Sequence, residues 1–357
     1  MARIDGILDR LQFTNNGPLV QEFEQRIADY ANVAHCVATC NATVALQLAS
    51  HALGLSGEVI VPSYTFVATA HALTWQGLTP VFADIDPDTH SLDPGSLDER
   101  VTARTSAILG VHLWGRPCDV DALEEVAARH GLPLFFDAAH ALGCSHNGRM
   151  IGSFGRCEVF SFHATKFVNS FEGGAVVTDD AALAEKLRLL RNFGFCGMDN
   201  VVGLGINGKM SEISAAMGLT SLESVDELVA INRANHDAYR VQLADVPGVR
   251  VFEYDPRERN NYQYVVVELT APDEIRLRDR LVDALSAAGI IARRYFWPGC
   301  HRMEPYRQDS QVQSGRLPNT EAVADRVIVL PTGQSVDRET VAEICDLIRR
   351  FLLRARS

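Results

Sequence analysis

The sequence predicts an α/β protein with a large, mostly parallel sheet, followed by a smaller C-terminal α+β module. Three observations carry that reading. From about residue 58, short apolar runs alternate with helical stretches. The runs EVIVPS, TPVFADID, TSAILGVHLW, LPLFFDAA, EVFSFHA and GGAVVTDD are near-continuously apolar, as in strands covered on both faces. After residue 210 the rhythm gives way to long helical stretches interleaved with a few β-like runs.

The elements follow in order. In GPLVQEFEQRIADYA (17–31), Leu19, Phe23, Ile27 and Tyr30 recur at helical spacing, so this helix packs against the core. CNATVALQLASHALG (40–54) opens a second helix at Asn41 to Thr43. The six apolar runs then supply strands, with helices such as DVDALEEVAARHG (119–131) between them, this one closed by a Gly suited to a C-cap. GLGINGKM (203–210) is a Gly-rich loop. Residues 211–246 read as one long helix or a helix pair. VRVFEY (249–254), YQYVVVEL (262–269), a helix near 273–288, IIARRYFW (290–297) and a last helix near 336–354 complete the second module. The boundary falls inside the long helix, giving residues 1–235 and 236–357 as the two domains.

Composition excludes several classes. The 357 residues are 47% hydrophobic and 22% charged, which is ordinary for a globular protein and argues against disorder. No apolar run approaches the ~20 residues that span a bilayer. MARIDGILDRLQFTNN lacks a charged-then-apolar leader, so the expected location is cytoplasmic. A net charge of −12 disfavours nucleic acid or an anionic membrane surface as partner. The eight cysteines form no CxxC pair, which leaves free thiols and no metal site. Only three lysines, Lys166, Lys186 and Lys209, stand among 33 basic residues. Arginine cannot replace lysine where a neutral primary amine must attack a carbonyl.

Lys166 therefore comes first. It follows a strand end in FSFHATKFVNSFEGG, and Phe160, Phe162, Phe167 and Phe171 are expected to enclose it in a low-dielectric pocket. Burial lowers a lysine pKa and leaves a nucleophilic amine suited to a Schiff base, whereas a lysine without that burial is simply a surface charge. Asp137 ends LPLFFDAA. That position fits a helix N-cap and equally the counter-charge of a buried cation such as a protonated pyridine nitrogen. The amides at Asn41 to Thr43 cap a helix and also suit a phosphate. Ser161 and His163 precede Lys166, and Tyr64 and Phe66 follow a strand, where an aromatic either packs in the core or covers a planar ring. Amine, carboxylate, phosphate cradle and aromatic cover together match the needs of pyridoxal phosphate.

These segments resemble the DegT/StrS-type sugar aminotransferases, fold-type-I pyridoxal-phosphate enzymes acting on nucleotide-linked keto sugars. The resemblance runs through GPLVQEFEQ, NATVALQLA, VIVPSYTFVATA, TPVFADIDPDT, GVHLWGRPCDVDAL, FFDAAHALG, FSFHATK, GINGKMSEISAAMGL and LPNTE, and the chain begins close to the first of them. The resemblance implies that Lys166 binds pyridoxal 5′-phosphate covalently and shuttles the proton. Asp137 would pair with the ring nitrogen, Ala42, Thr43 and Ser161 with the phosphate, Phe66 with the ring face, and His140 with the phenolic oxygen. Asn207 would reach the neighbouring subunit's phosphate in a homodimer with shared active sites. His163 would line the sugar site, with Lys209, Arg293 and His301, and also Arg191 and Arg294, as cations for an anionic substrate. Two positions depart from the family pattern: Asn41-Ala42-Thr43 stands for Ser-Gly-Thr, and His140 for Gln. Related sugar dehydratases carry His where Lys166 stands. The implied reaction moves an amino group from L-glutamate to C4 of dTDP-4-keto-6-deoxy-D-glucose. A C3 aminotransferase, a dehydratase or epimerase, and a non-catalytic regulatory homologue are the alternatives.

Overall fold

The computed structural model describes residues 1–270, 274–309 and 315–356. Two helices, α1 (Ala2–Arg10) and α2 (Pro18–Ala31), lead into the first strand. Pro18 at the first turn of α2 needs no intrahelical partner for its missing N–H. The free amides of Leu19 and Val20 instead donate to the fully buried carboxylate of Glu212, at 3.0 and 2.9 Å. Phe23 and Ile27, one turn apart, are completely buried.

The central sheet has seven strands in the order β1-β9-β8-β5-β4-β2-β3. They are β1 (His35–Thr39), β2 (Glu58–Pro62), β3 (Thr79–Ala83), β4 (Thr105–Val111), β5 (Leu134–Asp137), β8 (Glu158–Ser161) and β9 (Gly174–Thr178). Only β9 runs antiparallel to its neighbours. The short hairpins β6 (Ser145–His146)/β7 (Arg149–Met150) and β10 (Phe195–Cys196)/β11 (Asn200–Val201) lie outside it. Alternate residues enter different cores: Ile60, Ile108, Phe136 and Phe160 join one, Val61, Leu109, Phe135 and Val159 the other. That two-sided burial is why the runs read as continuously apolar. Helices α3 (Ala42–Ala52), α4 (Val67–Thr74), α5 (Val120–His130) and α6 (Ala181–Leu190) accompany the sheet. The strands β1, β2, β5 and β8 are mutually parallel, so Thr39, Pro62, Asp137 and Ser161 end at one edge. Ligands gather at that edge in such sheets.

Residues 211–246 form a helix pair, α7 (Glu212–Glu223) and α8 (Val225–Leu243), meeting at Ser224. Beyond them β12 (Val249–Val251), β13 (Val265–Leu269) and β14 (Val327–Leu330) make an antiparallel sheet. With α9 (Glu274–Ala287), α10 (Pro318–Arg326) and α11 (Arg338–Arg356), they complete the chain. Tyr239, Leu243, Val267, Leu285, Ile344 and Ile348 share a separate core there. Residues 290–297 make no strand, only an isolated bridge from Arg293 to Val329. Pro298 has no N–H with which to continue such pairing. Trp114, Tyr64, Phe296 and Phe252 pack between the two sheets. Trp114 holds a left-handed backbone conformation (φ 62°), and its carbonyl accepts a bond from the Tyr254 hydroxyl at 2.9 Å. Among the described residues no helix is long and apolar enough to cross a membrane, and all eight cysteines are free thiols.

Candidate active site

A crevice of about 370 Å³ opens at the carboxyl edge of the sheet. Lys166 reaches it from the turn after β8, where its backbone N–H donates to the His163 carbonyl at 2.8 Å. Its Nζ donates to Tyr264 Oη at 2.9 Å. Burial pulls the amine down from 10.5 to about 8, against the opposing pull of Asp137. At pH 7 about a tenth of such amines are neutral, roughly three hundred times the fraction for an ordinary lysine. The enclosure differs from the expectation: none of Phe160, Phe162, Phe167 and Phe171 lines the crevice. Phe160 and Phe162 point into the core, and Phe171 is exposed. Tyr264, His140, Tyr295 and Phe296 form the wall instead. Tyr264 lies 98 residues downstream, beside β13, and no motif around it signals contact with Lys166.

Asp137 ends β5 and lines the same crevice. Its Oδ1 accepts the Ala139 N–H at 3.0 Å, and its Oδ2 accepts the Thr69 hydroxyl at 2.8 Å. Thr69 is in turn 3.0 Å from the Thr65 hydroxyl, completing a buried relay that sequence reading missed. Burial pushes the Asp137 carboxyl above its ordinary range, and the two hydrogen bonds and Lys166 oppose the rise. An incoming cation would restore the ionised form.

The amino end of α3 lines the same crevice as Asp137. Asn41 caps this helix through a 2.9 Å bond from Val44 N–H to its Oδ1, and Ala42 and Thr43 line the crevice. First-turn amides have no intrahelical acceptor, so they suit an anion. Gly174 makes the arrangement possible: a Cβ there would lie 2.5 Å from the Ala42 nitrogen. Ser161 lines the same end.

Phe66, 54% exposed, covers the opening, 6.3 Å from the Phe296 ring centre. His140 stacks on Trp114 (5.9 Å) and Phe296 (6.1 Å) and lies 4.4 Å from Tyr264. The Trp114 N–H donates to its Nδ1 at 3.3 Å, which places the ring proton on Nε2. Burial and the nearby Lys166 hold its pKa well below the usual value, so His140 is neutral. His163 lines the rim, with Nδ1 2.9 Å from Thr165 Oγ1 and Nε2 3.5 Å from Glu172. Arg293 also lines the crevice, 4.9 Å from the Tyr295 ring centre.

Comparison with known proteins gives the family. Residues 1–349 match the model of the DegT/DnrJ/EryC1/StrS aminotransferase family. The chain belongs to that family. It is 38% identical over 341 residues to the dTDP-4-amino-4,6-dideoxy-D-glucose transaminase of Shigella dysenteriae, covering 95% of this chain and 92% of the relative. It is 36% identical over 332 residues to the erythromycin biosynthesis sensory transduction protein EryC1 of Saccharopolyspora erythraea, covering 92% and 89%. Among solved structures, DesI in the presence of its TDP-sugar product superposes with a TM-score of 0.93. Identity there is 54%, over 100% of this chain and 92% of that one.

Aminotransferases of this family depend on pyridoxal 5′-phosphate. The crevice fits it: an enclosed amine of lowered pKa, a carboxylate that burial leaves short of a cation, and a helix start that only Gly174 leaves open.

Several expected cations lie elsewhere. Arg191 is buried in an ion pair with Glu24 and also donates to the Ala38 carbonyl and Asn16 Oδ1, so it holds α2 against β1. Lys209 sits over the Phe193 ring at 4.6 Å and lines a different depression. His301 is tied to Ser63 Oγ at 2.6 Å and lies 3.5 Å from Glu321, outside the crevice. Arg294 pairs with Asp279 at 3.0 Å. Asn207 is exposed beside Asn192 and does not line the crevice of its own chain.

Proposed function

We propose that this protein is a transaminase that moves the amino group of L-glutamate to C4 of a dTDP-linked 4-keto-6-deoxyhexose, in the cytoplasm, within deoxysugar assembly for antibiotics or surface glycans. The observation that carries the reading is a lysine amine of lowered pKa and a buried carboxylate facing one crevice, at whose end a helix presents free amides. The C4 position draws support from the names of the Shigella relative and of an Escherichia coli relative, 35% identical over 351 residues.

When bound, pyridoxal phosphate supplies an aldehyde that captures amines and a ring that draws electrons from the carbon losing its proton. The rest falls to the chain. Lys166 Nζ would take that proton and return it to the carbon on the other side of the transferred nitrogen, with Tyr264 Oη positioned to hold the amine. Asp137 faces the ring nitrogen, its carboxylate fixed by Thr69 and Ala139. Ala42 and Thr43 amides with Ser161 Oγ hold the phosphate. His140 donates from Nε2 to the phenolic oxygen, Phe66 covers the ring, and His163 contacts the sugar.

The active unit in this reading is a homodimer. Asn207 is exposed and does not line its own crevice, which leaves it available to serve the neighbour's phosphate. Phe193, Met198, Leu204 and Ile206 are exposed around it, an apolar face suited to burial against a second subunit. The two domains are assigned to residues 1–235 and 236–357.

The test is incubation of the holoenzyme with L-glutamate and then with dTDP-4-keto-6-deoxyglucose. Release of 2-oxoglutarate and a product bearing nitrogen at C4, located by NMR, are expected. Nitrogen at C3, loss of water without amination, or cofactor binding without 2-oxoglutarate would each replace this reading with one of its alternatives. The last outcome would align the chain with the name that EryC1 carries.

A further inference from the structure

Two large buried residues outside the crevice hold left-handed backbone conformations, His90 (φ 61°) and Trp114 (φ 62°), and they stand at the two ends of one hydrogen bond. Such conformations persist only where the surroundings fix them, and they gather at functional sites. The turn from Asp86 to His90 is tied by the Asp86 carboxylate, which accepts from the N–H groups of Asp88 and Thr89. It turns the His90 ring inward. There Trp114 Nε1 donates to His90 Nδ1 at 3.2 Å, and His90 Nε2 lies 2.9 Å from Oε1 of Glu268 on β13. An indole N–H only donates, so the His90 proton sits on Nε2 and goes to the carboxylate. Arg250 and Arg326, each 2.8 Å from Glu268, balance its charge. Burial and those two arginines, against the pull of Glu268, keep the His90 pKa below its usual value. Trp114 joins this cluster to the crevice. Its ring stacks on Phe296 at 5.2 Å, its carbonyl accepts from the Tyr254 hydroxyl, and its backbone N–H donates to His140 Nδ1 at 3.3 Å.

We propose that His90 and Glu268 are positioning residues: by anchoring the Trp114 indole they hold its backbone N–H on His140 Nδ1, and so keep the His140 proton on Nε2. The inference rests on the contact from His140 to the phenolic oxygen proposed above and adds what prepares it. Each group in the row has one role open to it. Glu268 accepts, His90 donates from Nε2 and accepts at Nδ1, and the indole donates. At the other end of the same residue the backbone N–H can only donate, so His140 Nδ1 must accept. Lys166 and Tyr264 are the titratable groups facing His140, and they bond to each other. Among the described residues only Trp114 bonds to His140 Nδ1, so releasing its N–H lets the proton move there. The C-terminal sheet thereby sets the state of a side chain at the carboxyl edge of the central one.

Nitrogen-15 NMR of the cofactor-free protein, labelled only at histidine, reads the tautomer directly, with the His140 signals assigned by their loss in His140→Leu. The parent is expected to show Nε2 protonated and Nδ1 bare near neutral pH. His90→Phe keeps a ring beside Phe252 but has no acceptor, and Trp114→Phe keeps the stacking but has no donor. Each should lower the ratio of Nε2–H to Nδ1–H about fivefold, the weight of one hydrogen bond. His90→Asn offers an amide oxygen near the place of Nδ1 and tolerates a left-handed backbone, so it should restore the parent ratio. In the holoenzyme, the absorption band of the bound cofactor should move in both phenylalanine variants and return in His90→Asn. A parent protonated on Nδ1, or a ratio unchanged in either folded phenylalanine variant, overturns the proposal. Failure of both variants to fold overturns it too, by making the pair structural alone. A tautomer that shifts as expected, with a cofactor band that stays still in His140→Leu, supports the positioning and refutes the phenolic contact instead.

Discussion

Replacing Lys166 with methionine should stabilise the cofactor-free protein, but only over part of the pH scale. Burial brings the Lys166 amine from 10.5 to about 8. Between those two values the unfolded chain still carries a proton that the folded chain has released. The parent's stability therefore rises with pH across that window, and below it the full cost of enclosing an ammonium is present. At about 1.36 kcal/mol for each tenfold change in the proton equilibrium, that cost is about 3 kcal/mol. Methionine keeps the length and apolar stem of lysine and removes the charge. It also gives up the bond to Tyr264 Oη, worth about 1 kcal/mol. The variant should then be about 2 kcal/mol more stable than the parent near pH 7, and about 1 kcal/mol less stable once the window has been crossed. Urea unfolding of both cofactor-free proteins near pH 7 and near pH 11 measures the difference, and titrating groups remote from Lys166 cancel because both proteins share them. A difference that stays flat with pH would refute the enclosed amine. A variant less stable than the parent near pH 7, by more than near pH 11, would mean that attraction to Asp137 outweighs burial.

Three further outcomes follow from the same geometry. Gly174→Ala sets a Cβ 2.5 Å from the Ala42 nitrogen, so β9 and α3 must separate. A loss of about 1–3 kcal/mol in unfolding free energy and weaker phosphate binding are expected, measured by unfolding and by cofactor titration. Thr69→Val takes a donor from Asp137 Oδ2 and should cost the cofactor-free protein about 1.5–3 kcal/mol near neutral pH. That deficit should shrink as acidification protonates Asp137, because the lost bond favours the ionised carboxylate. Mixing inactive Lys166→Ala with impaired Asn207→Ala subunits should restore one complete site in each mixed dimer. No recovery of activity after subunit exchange would place Asn207 outside the shared site.

The strands, the helical character of residues 211–246 and the crevice edge were legible because they rest on local pattern. Two-sided burial writes continuous apolar runs, and Asp137 and Lys166 follow strands whose ends the parallel topology brings to one edge. The short β1 was not legible: five residues ending at Thr39 carry too little pattern to stand apart from the capped helix that follows. Residues 290–297 misled in the other direction. IIARRYFW has strand-like composition, but Tyr295 and Phe296 line the crevice instead of extending a ladder.

What the sequence could not show is which distant side chains complete the environment of each reacting group. Lys166 looked enclosed by its phenylalanine neighbours, yet residues adjacent along a turn point to different sides, and the crevice wall comes from Tyr264 and His140. Three of the expected cations lie off the crevice because another group already holds them. A charge in a motif declares that it is needed, not what neutralises it: Arg191 is consumed by Glu24, and Arg294 by Asp279. His301 is held by Ser63. Arg293 and Lys209 have no carboxylate partner among the described residues and lie instead over the rings of Tyr295 and Phe193. In an acidic protein the surplus of carboxylates neutralises most arginines, so a cation's place in a motif does not by itself assign it to a ligand.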